Sequence, residues 1–121
     1  NIFAYAATQA AYEKGAEWRE QMLAYVEKNI DYVISFLEKN IPQIKAMKPE
    51  ATYLLWLDCK DLGMETDELH RFFLLEAGIG LNKGTIFGPG GEYHLRLNAA
   101  CPRSVLEQAM SQLIKAVSGK Q

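Results

Sequence analysis

The sequence has two cysteines, Cys59 and Cys101, and neither has a second Cys or a His at zinc-finger spacing. A disulfide framework and a structural zinc site are thereby excluded as organising devices. Two lone thiols read instead as small hydrophobes in or near a core, in a reducing cytoplasm. No apolar run approaches the roughly 20 residues of a membrane span, and the chain does not open on a signal-peptide pattern. Basic residues do not dominate: 13 Lys and Arg stand against 15 Asp and Glu, for a net charge of −2. Phosphate backbones need a concentrated positive surface, so nucleic acid is not expected as a partner, and the lack of a long apolar run argues the same for a membrane. There is no internal repeat and no low-complexity stretch.

What remains is the composition of an ordinary globular domain. The 121 residues are 49% hydrophobic and 23% charged. A chain of this length fits one domain and buries roughly 65% of its unfolded surface.

The order of elements follows from periodicity and punctuation. Residues 3 to 14 are Ala-rich and helix-prone, and Gly15 interrupts them. From Ala16 to Asn40, Trp18, Met22, Val26, Ile30, Val33 and Leu37 recur at three- and four-residue spacings, the stripe of a long amphipathic helix that Pro42 ends. Ile44 to Lys48 alternates as a short strand. Ala51 to Cys59 is apolar and aromatic throughout, which predicts a central strand covered on both faces. Thr66 is placed to cap a helix carrying Leu69, Phe72, Phe73 and Ala77, with Gly78 at its end. Ile79 to Leu81 reads as a short strand. Asn82 to Gly91 holds Gly84, Gly88, Gly90 and Gly91 with Pro89, so it is expected to be loop. Tyr93 to Asn98 alternates, with Tyr93, Leu95 and Leu97 on one face and His94, Arg96 and Asn98 on the other. Pro102 fits the first turn of a last helix whose stripe is Leu106, Ala109, Met110, Leu113 and Val117. The predicted fold is α+β: a two-layer sandwich with helices packed on one face of a small, mostly antiparallel sheet.

Arg96 is the strongest candidate for chemistry. It sits mid-strand, where a guanidinium costs desolvation unless it meets a partner or water. Its planar fork matches a carboxylate in bidentate geometry. From the pattern alone it is either a carboxylate clamp or a strand arginine that is solvated or paired with an acid. The Gly84–Gly91 loop is neither a dinucleotide fingerprint nor a P-loop, and Pro89 removes an amide donor, so a close approach or sharp bend is the better reading. His70 reads as a surface residue on its helix. His94 shares the Arg96 face, but no His has a partner at metal or nucleophile spacing, so no metal ligand is assigned. Asp58 and Asp61 read as a loop rim. Trp18, Tyr12, Tyr25 and Tyr32 read as core or interface.

These residues also carry a resemblance. Gly84-Thr85-Ile86-Phe87-Gly88, followed by Leu95-Arg96-Leu97-Asn98-Ala99-Ala100-Cys101-Pro102-Arg103, resembles the C-terminal motif of class I/II aminotransferases, fold type I of the pyridoxal-phosphate (PLP) enzymes. The cystathionine β-lyase-like branch is the most similar. Asn1-Ile2-Phe3, Ala10-Ala11-Tyr12, Gly15 with Trp18, Asn29, and Pro49 to Asp58 resemble the same family in the same order. Ala51 departs from it, standing where such segments often carry Gly.

The resemblance implies a C-terminal small domain. Residues 1–40 would be interdomain-type helices leading into an α+β unit over 41–121, a single folded piece of a longer chain. The opening at Asn1 without a Met, directly into a helical pattern, is read the same way. It also implies that Arg96 grips the α-carboxylate of an amino-acid substrate, with His94, Asn98, Gly84, Phe87 and Gly88 as possible rim. The parent would be a PLP-dependent aminotransferase or carbon–sulfur lyase, a cytoplasmic homodimer. The lysine that attaches the cofactor, and the Asp that pairs with its ring nitrogen, would lie in the large domain. No catalytic or cofactor-binding residue is therefore expected in these 121 residues. The alternative reading is a stand-alone regulatory or interaction module of the same fold.

Overall fold

The computed structural model describes residues 1–120. Helix α1 covers Ile2–Lys14 and α2 covers Ala16–Asn40. Strands β1 (Lys45–Met47) and β2 (Leu54–Asp58) follow. Helix α3 (Thr66–Arg71) runs into a wide helical turn, Phe72–Glu76. Then come β3 (Asn82–Lys83), a tight turn Gly84–Phe87, β4 (His94–Asn98) and α4 (Arg103–Ser118). The sheet order is β1-β2-β4-β3, every pair antiparallel. This is the predicted α+β sandwich.

The core lies on one face of that sheet. Leu55 and Leu57 of β2 stand opposite Leu97 and Leu95 of β4, and all four are buried. Val26, Ile30, Val33 and Leu37 of α2 and Leu106, Met110 and Leu113 of α4 pack over them. Burying one such side chain contributes roughly 1.5–3 kcal/mol. Helix α2 stops where Ile41 leaves helical geometry at φ −142°, because Pro42 crowds the residue before it out of the helical region.

The wide turn explains how two adjacent phenylalanines enter the core together. Ala77 donates to the Phe72 carbonyl, five residues back, at 3.0 Å. Phe72 and Phe73 are both 1% exposed, with their rings edge to face at 5.7 Å. Gly78 then takes φ +67° and lets Ile79 donate to the Phe73 carbonyl at 2.7 Å, closing the helix end as expected.

Four local expectations are corrected. Trp18 is 70% exposed, so the buried stripe of α2 begins only at Val26, with Met22 partly buried before it. Thr66 is not the cap of α3; Glu65 occupies that position, and the Thr66 hydroxyl accepts from the Tyr93 amide at 3.3 Å. The strand predicted at Ile79–Leu81 forms instead at Asn82–Lys83, because the helix closure consumes the Ile79 amide. Strand β2 is fully buried on one face only; its Leu54, Trp56 and Asp58 face is half-covered.

Candidate functional site

Antiparallel register decides what surrounds Arg96. Across β2 and β4, Trp56 pairs with Arg96, Asp58 with His94 and Leu54 with Asn98. Across β3 and β4, Asn82 pairs with Arg96. Directly opposed residues share a face, so Trp56, Arg96 and Asn82 form a row across the helix-free side of the sheet.

The guanidinium in this row is held on two sides. Its Cζ lies 4.4 Å from the centroid of the Phe87 ring, a cation–π contact. Its Nη2 donates to Asn82 Oδ1 at 3.2 Å. Its Nε is buried and has no hydrogen-bond partner among the described residues. Among the described residues, no carboxylate forms an ion pair with Arg96. Trp56 joins the other aromatics: its ring stacks on His94 at 5.5 Å and meets Phe87 edge-on at 5.7 Å. His94 Nδ1 is 2.7 Å from the Glu92 carbonyl, a contact that places the proton on Nδ1.

The glycine loop brings Phe87 to this face. A Cβ on Gly84 would fall on the Gly91 carbonyl, and one on Gly91 would fall on the Gly84 carbonyl. The two backbones therefore touch and close the neck of the loop. Inside it, Gly88 N–H donates to Thr85 O and Gly91 N–H to Gly88 O, each at 3.3 Å. Those amides are committed to the loop itself, in keeping with a bend rather than a phosphate cradle.

The sequence candidates thus divide. Arg96, Phe87 and His94 gather around Trp56. Gly84 is buried in the neck, and Gly88 sits at its bend with φ +120°. Asn98 is exposed, and its Oδ1 accepts from the Ala100 amide at 2.8 Å, away from the cluster. His70 is half-buried on α3. Sequence reasoning missed Asn82 and Trp56 as neighbours of Arg96. Only strand register shows them; Asn82, expected in the loop, stands in strand β3.

Arg103 and Asn29 form a separate, structural constellation. Asn29 is 0% exposed; its Nδ2 donates to Ala99 O at 3.0 Å and Cys101 O at 2.8 Å. Arg103 donates from Nε to Asn29 Oδ1 at 3.0 Å and from Nη2 to Lys28 O at 2.7 Å. Its guanidinium also lies 4.4 Å over the Tyr32 ring. Burial raises the Tyr32 hydroxyl pKa above its ordinary value, Glu107 adds to this, and Arg103 opposes it.

Chemically, this face offers a half-buried cation that no carboxylate among the described residues neutralises, backed by an aromatic wall. Such a group binds a planar anion well and stays costly without one. Among the described residues no cluster could hold a metal ion, and no helix is long and apolar enough to cross a membrane.

Known proteins are similar to this chain in sequence and in fold. No family model matches the chain. Cystathionine β-lyase PatB of Bacillus subtilis is 40% identical over 118 residues, covering 98% of this chain and 30% of that protein. Protein MalY of Escherichia coli is 32% identical over 117 residues, covering 97% of this chain and 30% of its own length. The crystal structure of cystalysin from Treponema denticola, which contains PLP, superposes with a TM-score of 0.94 at 34% identity, again over 98% of this chain and 30% of that one. The chain spans about three-tenths of the length of these relatives. It belongs to the family of PLP-dependent cystathionine β-lyases and aminotransferases, as their C-terminal small domain.

Proposed function

We propose that this chain supplies the substrate-carboxylate arm of a PLP-dependent enzyme acting on an amino acid, with carbon–sulfur β-elimination as its reaction. The relatives' names favour the lyase over transamination. The observation that carries the proposal is the state of Arg96: a half-buried guanidinium walled by Phe87, which among the described residues no carboxylate neutralises. An α-carboxylate is the planar anion that every amino-acid substrate brings.

PLP, when bound, serves as the electron sink for bond cleavage at the substrate. The residues described here do not fit the task of holding it. No lysine is buried, Lys45, Lys48, Lys83 and Lys120 lie in surface ion pairs, and the Gly88 and Gly91 amides of the loop are already used. The cofactor and its lysine therefore belong to the rest of the full-length protein, which we take to be a homodimer. Arg96 contributes orientation. By fixing the carboxylate it limits the rotations of the substrate and sets which bond faces the cofactor.

Replacement in the full-length enzyme tests this. Arg96→Ala removes a charge-assisted bidentate contact, and kcat/KM for cystathionine falls by roughly 30- to 1000-fold. PLP absorbance survives. Arg96→Lys recovers only part of the loss, because an ammonium lacks the fork. Arg103→Ala is the control and keeps kcat/KM within a few-fold. Near-normal turnover in Arg96→Ala would assign the clamp to another residue.

A further inference from the structure

We propose that Asn82 is the positioning residue of the carboxylate clamp, its side-chain carbonyl and the Phe87 ring together setting the plane in which the Arg96 guanidinium meets its ligand. This rests on the reading of Arg96 given above.

An arginine on a flexible stem has no inherent orientation; what surrounds it must provide one. Strand register sets Asn82 directly opposite Arg96, so the two side chains leave the sheet on the same face. Asn82 Oδ1 takes one donor of Nη2 at 3.2 Å, which fixes rotation within the guanidinium plane. Phe87, with its centroid 4.4 Å from Cζ, fixes the plane itself. Nε is buried, so it cannot offer its proton to an arriving ligand in this arrangement. The donors left for a carboxylate lie on the two terminal nitrogens, and the ligand is met end-on.

The chemistry of position 82 matters. An amide oxygen is a neutral acceptor: it orients the cation without cancelling its charge. A carboxylate there would hold the guanidinium more strongly, yet compete with the substrate for it. Asn82 is exposed on the edge strand β3, so its contribution to the core is small. Gly84, one side of the closed neck with Gly91, lies between Asn82 and Phe87, so one short segment delivers both contacts.

The test is a double-mutant cycle in the full-length PLP enzyme with cystathionine as substrate. Asn82→Ala raises KM about 5- to 20-fold and changes kcat far less. Asn82→Asp raises KM further than Asn82→Ala does. Asn82→Ser, which keeps an acceptor, restores part of the loss and serves if the Ala variant folds poorly. In an Arg96→Ala background all three changes lose their effect, since nothing remains to be positioned. Effects of Asn82→Ala that multiply undiminished with those of Arg96→Ala would overturn the proposal. So would an Asn82→Asp enzyme no worse than Asn82→Ala. If Arg96→Ala itself left kcat/KM intact, the clamp reading would fall. If Arg96→Ala were crippled while every Asn82 variant behaved as the parent, only the positioning role would fall.

Discussion

Arg103 Nε and Asn29 Oδ1 meet at 3.0 Å across 74 positions of sequence, and this bond ties the middle of α2 to the start of α4. The same buried amide holds the carbonyls of Ala99 and Cys101, so one side chain satisfies three groups at the exit of β4. That exit follows directly on the strand carrying Arg96.

The latch predicts a separation of stability from catalysis. Asn29→Ala leaves two carbonyls and the Arg103 Nε without their partner, and costs about 2–4 kcal/mol. Arg103→Ala costs less, because its other contacts reach an exposed carbonyl and a ring face. Urea unfolding measures both. Neither change should abolish turnover in the full-length enzyme under conditions where it stays folded. A loss of kcat/KM in a stably folded Arg103→Ala enzyme would contradict the division.

The loop neck predicts an unusual intolerance of one methyl group. Gly84→Ala and Gly91→Ala each place a Cβ on a backbone carbonyl that cannot move as a side chain can. Each should cost about 1–3 kcal/mol and shift Phe87 off Arg96. The near-ultraviolet signal of Trp56, which Phe87 touches edge-on, should change with it. Gly80→Ala, with open space around its Cβ, is the comparison and should be close to neutral.

The thiols predict a pH dependence of known sign. Burial, aided by the nearby Asp58 charge, pushes the Cys59 pKa from 9.0 up to about 12. Native Cys59 stays protonated where the unfolded chain has already lost its proton, so the unfolded state binds fewer protons over that interval. This contribution to stability is complete below about pH 9 and is lost as pH rises towards about 12. Cys101 is also raised by burial, and less enclosed. At pH 8 an alkylating reagent should modify Cys101 slowly and Cys59 only after denaturation. Rapid labelling of native Cys59 would refute its burial.

Helix α1 predicts local instability in the isolated chain. It has no buried residue, and Ile2, Phe3, Tyr5 and Tyr12 are 77%, 81%, 78% and 88% exposed. Helices stabilised by propensity alone are marginal at this length. In hydrogen exchange its amides should exchange orders of magnitude faster than those of Leu55 and Leu57. Equal protection in a proven monomer would show that α1 needs no further partner.

The sequence determined much of this by itself, because two periodicities are local. Val26, Ile30, Val33 and Leu37 declared the inner face of α2, and Leu95 and Leu97 declared the inner face of β4. Alternation then put Arg96 on the other side, and Pro42 and Gly78 punctuated the helices through backbone chemistry that acts within a few residues. Pairing is another matter. Which strand lies beside which, and in what register, depends on contacts far apart along the chain, and periodicity carries no information about them. So Asn82 and Trp56 could not be seen flanking Arg96, nor Phe87 lying on its guanidinium. The same limit hid what Asn29 binds, since its partners lie beyond the end of β4, and made Trp18 look like core, since a stripe at helical spacing does not say where its partner surface ends. Local chemistry wrote the faces of each element; the antiparallel order β1-β2-β4-β3 decided what each face meets.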